Sequence, residues 1–289
     1  MMRRLFRQLL FALLPLFARA EDSGKPQVIR DIEYARIGER ALKLDFHLPP
    51  SKTISPLIVW VHGGAWRSGS KSDMPLESLV GEGYAIASVD YRLSTEARFP
   101  AQIHDIKAAI RFLRAHSGDW SMASEKIVIA GNSAGAHLAA LVGVSNGHTE
   151  LEGTVGSDPQ RSSAVQGIIS FYGASNLTTI LSQSTPHGLS VRVPALELFL
   201  GGQPSDFPEV ARLASPVSHV DRNDPPLLLI HGDQDPQMPV AQSHELLKAY
   251  QMANLPVHFE VVSGGAHGGP AFFDVERLDA VKAFLRRDF

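Results

Sequence analysis

The apolar positions of the chain change rhythm as the sequence proceeds. Residues 28–34 and 41–48 read as two strands joined by a turn at Gly38. In the second of them Leu42, Leu44, Phe46 and Leu48 alternate with Lys43, Asp45 and His47, which predicts one wet face. Beyond Pro56 the runs become continuously apolar, at residues 57–61, 85–89, 127–130, 165–171, 227–230 and 257–262. Such runs fit strands covered on both faces, as in parallel sheet. Helical patterns lie between them. The clearest, at residues 101–115, places Ile103, Ile106, Ala109, Ile110 and Leu113 on one stripe, and others are expected at 134–144, 240–252 and 275–286. Strand alternating with helix predicts an α/β, doubly wound, mostly parallel sheet behind an N-terminal antiparallel hairpin.

One interval departs from that alternation. Between Tyr172 and Leu227 the chain is rich in Ser, Thr, Pro and Gly, with short helical pieces expected at 194–200 and 209–213. A stretch this long inside a domain is usually an insertion with a purpose. Residues 175–221 read either as a small cap over a site or as structural packing, without a long amphipathic helix of the kind that opens at lipid interfaces.

Composition narrows the chemistry. The 289 residues carry a net charge of −3 and contain no cysteine. Disulfides, thiolate metal sites and a cysteine nucleophile are excluded, and no basic run suggests nucleic acid. Residues 1–20 stand apart: Arg3, Arg4 and Arg7 precede a short apolar stretch ending at Phe17, and Ala18-Arg19-Ala20 offers small residues for cleavage. This pattern predicts a signal peptide cut near Ala20, export to the periplasm or beyond, and a mildly acidic domain over residues 21–289. The apolar stretch is too short to span ~30 Å of hydrocarbon, so no stable membrane span is expected.

Three glycine-rich segments carry candidate chemistry. Gly131-Asn132-Ser133-Ala134-Gly135 fits G-x-S-x-G between an expected strand and an expected helix. A sharp strand-to-helix turn exposes the serine hydroxyl and requires small neighbours two residues away on either side. Ser133 is the candidate nucleophile, and Asn132 a candidate substrate contact. His62-Gly63-Gly64-Ala65-Trp66 ends the strand at 57–61; residues with little side chain there let the N–H groups of Gly64 and Ala65, with that of Ala134, face a developing oxyanion. His62 reads as a brace for that loop, and Trp66 as either core or pocket wall. Asp233 and Asp235 follow the strand at 227–230, and His267 follows the strand at 257–262, so acid and histidine come after the serine in the expected order. From the residues alone the two aspartates remain in competition. The segment from Gly64 to Ser72 lacks the lysine of a phosphate-binding loop, and no metal or dinucleotide motif is present.

Together these segments resemble the esterase/lipase branch of the α/β-hydrolases, near the hormone-sensitive-lipase-like and bacterial feruloyl-esterase-like (BD-FAE) groups. HGGAW (62–66), VDYRL (89–93), FPAQIHD (99–105), GNSAGAHLAA (131–140), ASPVSHV (214–220) and PPLLLIHGDQDPQMPV (225–240) carry the likeness, which covers nearly all of the chain after residue 20. The resemblance implies an α/β-hydrolase fold and a Ser133–His267–Asp235 triad, with the acid four residues after the histidine of HG. It implies a serine carboxylic-ester hydrolase that needs no cofactor and acts on a small or carbohydrate-linked ester. Within the motifs Asp90, Tyr91, Arg92, Pro100, Asp105 and His137 are expected to be structural, Arg92 and Asp105 as an ion pair. A short acyl group, about two to six carbons, is the expected preference, because an added methylene gains affinity only against an apolar wall. A feruloyl or acetylxylan esterase, an arylformamidase, a serine peptidase and a non-catalytic binding protein on the same scaffold remain as alternatives.

Overall fold

A computed structural model describes residues 25–50, 55–120 and 122–288. The expected signal segment lies outside them. Among the described residues no helix is long and apolar enough to cross a membrane.

Strands β1 (Gln27–Ile37) and β2 (Arg40–Leu48) form the hairpin around Gly38, and β2 pairs antiparallel with β4 (Ala85–Val89). The rest of the sheet is parallel: β3 (Ser55–Val61), β5 (Met122–Asn132), β6 (Gly167–Phe171), β7 (Leu227–Gly232) and β8 (Val257–Val262) complete the order β1-β2-β4-β3-β5-β6-β7-β8. The helices are α1 (Glu77–Gly81), α2 (Ala101–Ala115), α3 (Ala134–Gly143), α4 (Thr149–Glu152), α5 (Ile180–Gln183), α6 (Pro186–Leu200), α7 (Pro208–Leu213), α8 (Ala241–Met252) and α9 (Val275–Asp288).

The period of two along β3 divides the core. Leu57, Val59 and Val61 pack with Ile103, Ile106 and Leu138 of α2 and α3, whereas Ile58 and Trp60 pack with Leu79 of α1 and Val281 and Phe284 of α9. Burying each such side chain stabilises the sheet by roughly 1.5–3 kcal/mol, which is why the uninterrupted apolar runs form its centre.

Three expectations need correction. Asp45 and His47 of β2 do not face water; they are buried. Asp45 is covered because Lys71 Nζ (2.7 Å), Arg30 Nη1 (3.1 Å) and the Asp31 N–H (2.9 Å) converge on its carboxylate. The run at 257–262 is not enclosed on both sides: β8 is an edge strand, with Val261 exposed. The segment between β6 and β7 holds a longer helix than its prolines suggested. Thr185 caps α6 by accepting the Gly188 N–H at 3.0 Å, Pro186 occupies the first turn, and Pro194 sits inside the helix rather than starting it. Proline is well suited to a first turn, where its missing N–H leaves no bond unmade.

Candidate active site

The loops after β3, β5, β7 and β8 gather at the carboxyl ends of their parallel strands, where such sheets place their ligand crevice. Ser133 sits between β5 and α3 with φ 52° and ψ −119°, a strained conformation for any residue with a side chain. Its N–H donates to Phe171 O at 2.9 Å, fastening the turn to β6. The flanking glycines are required by contact. A Cβ on Gly131 would lie 2.6 Å from the carbonyl carbon of Gly135, and one on Gly135 would overlap the carbonyl oxygens of Val61 and His62.

Ser133 Oγ lies 2.9 Å from His267 Nε2, and His267 Nδ1 lies 2.6 Å from Asp235 Oδ2. An ionised carboxylate only accepts, so Nδ1 carries the ring proton and Nε2 is free to accept from the serine. Asp235 is buried, which alone would raise its pKa. Hydrogen bonds from His231 and His267, with the Met238 N–H, override that effect and hold the carboxyl well below the usual range. The Gln237 N–H also donates to it, at 2.8 Å. His267 is also shifted down from a solvated histidine. Burial lowers its pKa, Asp235 opposes this, and the positive charge of Arg192 adds to the lowering. Asp233 touches neither member of the chain; its Oδ1 accepts the Gly264 N–H at 2.7 Å and pins the loop that carries His267.

The loop after β3 approaches the same point. Gly64, Ala65 and Trp66 all have positive φ (99°, 51° and 60°), and the N–H groups of Arg67 and Ser68 close a turn on Gly64 O at 3.1 and 3.0 Å. Among the described residues no protein acceptor is paired with the N–H of Gly64, Ala65 or Ala134. The loop is braced from behind. His62 donates through Nδ1 to Gly63 O at 2.8 Å and stacks on Tyr91 at 4.4 Å, while the Tyr91 hydroxyl donates to His62 O at 3.0 Å. Arg92 next in sequence pairs with buried Asp105 through Nε (2.8 Å) and Nη2 (2.7 Å).

Trp66 belongs to this bracing. Its ring is fully buried, stacked on Phe199 of α6 at 4.6 Å, and its indole N–H donates to His137 Nδ1 at 3.1 Å. The pocket-wall alternative for this side chain gives way to the core one, since a ring this well packed presents no face to a ligand. His137 donates through Nε2 to Ala214 O, and burial lowers its pKa to about 4, so it stays neutral behind the turn. Asn132 is half-buried against Gly63, with Nδ2 3.4 Å from the Tyr172 hydroxyl.

A family model described as BD-FAE matches residues 44–250, which contain β3, the serine turn and Asp235. The chain belongs to the BD-FAE family. Its sequence is similar to the esterase LipC of Mycobacterium tuberculosis, 33% identical over 221 residues that make up 74% of this chain and 53% of that protein. The chain spans about half the length of the curated relatives it matches. Among solved structures it is similar to a truncated carbohydrate esterase from gut microbiota, with TM-score 0.80, 30% identity and coverage of 93% of this chain and 98% of the other. It is also similar to esterase 2 of Thermogutta terrifontis with butyrate bound, with TM-score 0.74, 26% identity and coverage of 92% and 95%. The α/β-hydrolase fold follows from these likenesses and from the sheet order.

Three residues of this BD-FAE chain to which the sequence reading gave no role also stand at the site. Tyr172, at φ 45° just after β6, sets its ring edge against His267 at 4.9 Å. His231 lies 3.3 Å from Asp235 Oδ2, donates to Met238 O at 3.0 Å and accepts from Ser243 Oγ at 2.7 Å, which stiffens the acid loop. Arg192 of α6 reaches the same loop from above. Only His231 stands inside a recognisable motif, the HG that precedes the acid.

Proposed function

We propose that the protein is a serine carboxylic-ester hydrolase working through an acyl-enzyme. Ser133 Oγ attacks the ester carbonyl while its proton passes to His267 Nε2. The oxyanion that forms accepts from the N–H groups of Gly64, Ala65 and Ala134. As the tetrahedral adduct collapses, His267 returns the proton to the departing alkoxide. Water then attacks the acyl-serine by the same route, and Asp235 keeps the imidazole in the tautomer whose Nε2 accepts. The observation that supports this reading best is the continuous Ser133–His267–Asp235 hydrogen-bond chain at a strained strand-to-helix turn. The names of the relatives, esterases in each case reported above, favour the same reaction class.

The segment 175–221 is proposed to roof the site, and the enzyme is proposed to be exported after cleavage near Ala20. A carbohydrate-linked ester is the second reading of the substrate, favoured by the likeness to the gut carbohydrate esterase. Release of acetate from acetylxylan or of ferulate from methyl ferulate would support it. The primary test is Ser133→Ala assayed on 4-nitrophenyl acetate. Turnover should fall by several orders of magnitude with the fold retained, because only binding and oxyanion stabilisation remain. A variant keeping a tenth of wild-type activity would overturn the assignment.

A further inference from the structure

The inward face of α6 carries a single charge. Gly188, Ala195, Leu196 and Phe199 line that face, and among them Arg192 is 0% exposed. One end of the helix is tied to the acid loop, where Thr185 Oγ1 donates to Pro236 O at 2.6 Å and a Cβ on Gly188 would lie 3.0 Å from Gln237 O. The other end rests on the oxyanion loop through the Phe199–Trp66 stack. Arg192, one turn beyond Gly188 and two before Phe199, therefore lies between the two loops that flank Ser133.

Its guanidinium is poorly satisfied. Of five N–H donors, one on Nη2 reaches Gln237 O at a limiting 3.5 Å, while Nε and Nη1 find no acceptor. Burial lowers its pKa to about 10, so it stays charged at neutral pH. Asp235 attracts it, but both oxygens of that carboxylate are engaged by His267, His231 and the Gln237 and Met238 N–H groups. A second cation, Arg67, directly follows Trp66, whose ring stacks on Phe199 of the same α6; Arg67 is half-buried and has no ion-pair partner among the described residues. Two guanidiniums near a site, one of them buried and in no ion pair among the described residues, form an arrangement that costs free energy until an anion joins it.

We propose that Arg192 and Arg67 form a carboxylate subsite beside Ser133, so that the preferred ester carries a carboxylate on its acyl or its alcohol part. The proposal deepens the ester-hydrolase reading and rests on it. A carboxylate accepts several charge-assisted N–H bonds at once, which matches the donors left open on Arg192. Because that guanidinium is fully covered, uptake of the anion requires a local opening beside it.

The test compares two pairs of esters, each rate normalised to its hydroxide-catalysed rate. Mono-4-nitrophenyl glutarate against its terminal amide probes the acyl side, and 4-acetoxybenzoate against 4-acetoxybenzamide probes the alcohol side. In the wild type one charged ester should exceed its amide in kcat/KM by about tenfold or more, and the pair that does so identifies the side. Arg192→Met should bring that ratio close to one, and Arg67→Gln should reduce it in part. If Arg192→Met does not fold, the wild-type ratios together with Arg67→Gln carry the test. Ratios near one in the wild type for both pairs would overturn the subsite, as would a preference that survives both substitutions. Failure of all four esters to turn over would overturn the ester-hydrolase reading instead.

Discussion

Asp235 and Asp233 stand two residues apart in one loop, yet their surroundings give them different work. Asp235 receives His267 at 2.6 Å, whereas among the described residues Asp233 receives a backbone N–H of Gly264. Asp235→Asn should therefore lower kcat by about 10⁴-fold, because an amide favours the wrong tautomer of the imidazole. Asp233→Asn should cost far less, and the reverse ranking would move the acid. The same surroundings set the pH dependence. The proposed mechanism requires neutral His267, so activity should be lost as pH falls through the pKa of that residue. Burial and the charge of Arg192 lower that pKa against the pull of Asp235, which places the acidic limb of kcat/KM below the ordinary histidine value of about 6.5. A midpoint at or above that value would contradict this electrostatic balance. His267 was legible in the sequence because glycines flank it after an apolar run. Tyr172 and Arg192 were not, since each meets the site through partners distant in the chain.

The element that positions the proposed nucleophile is the turn from β5 into α3, and its tolerance for added atoms is small. Gly135→Ala places a methyl group against the backbone oxygens of Val61 and His62, which belong to β3 and its loop and cannot rotate away. The variant should lose about 1–3 kcal/mol of stability, measured by denaturant unfolding, and displace the oxyanion loop with a matching loss of activity. An Ala variant as stable and active as the wild type would mean that the turn is looser than its contacts indicate. The long α6 was only half legible: proline at 194 looks like a helix start, but Pro186 and the Thr185 cap begin the helix two turns earlier. Its apolar residues Leu196, Phe199 and Leu200 pack into the core, while Val193 and Leu198 are exposed. The kcat/KM series from 4-nitrophenyl acetate through butyrate and octanoate to palmitate should therefore peak at the short end. A maximum at octanoate or longer would show that this segment builds an acyl channel.

Across the whole molecule, the proposed catalysis depends on parallel strands ending on one side of the sheet. Ser133 and His267 are 134 residues apart, and only the order β3-β5-β6-β7-β8 brings their loops, the acid loop and the oxyanion loop to a common edge. That assembly was readable because each loop bears its own motif directly after an apolar run, and the strand-helix alternation dictates that such runs lie parallel. What the alternation does not encode is side-chain coverage. Asp45 and His47 looked solvent-facing from their period of two, and it is the distant Lys71, with Arg30, that encloses Asp45. The central claim, that Ser133 is the nucleophile of this gathered site, is tested most directly by a fluorophosphonate ester with peptide mapping of the labelled protein. One adduct, on the peptide containing Ser133, should form in parallel with the loss of 4-nitrophenyl acetate hydrolysis, and Ser133→Ala should take up none. An adduct on another residue, or full hydrolysis with Ser133 labelled, would contradict it.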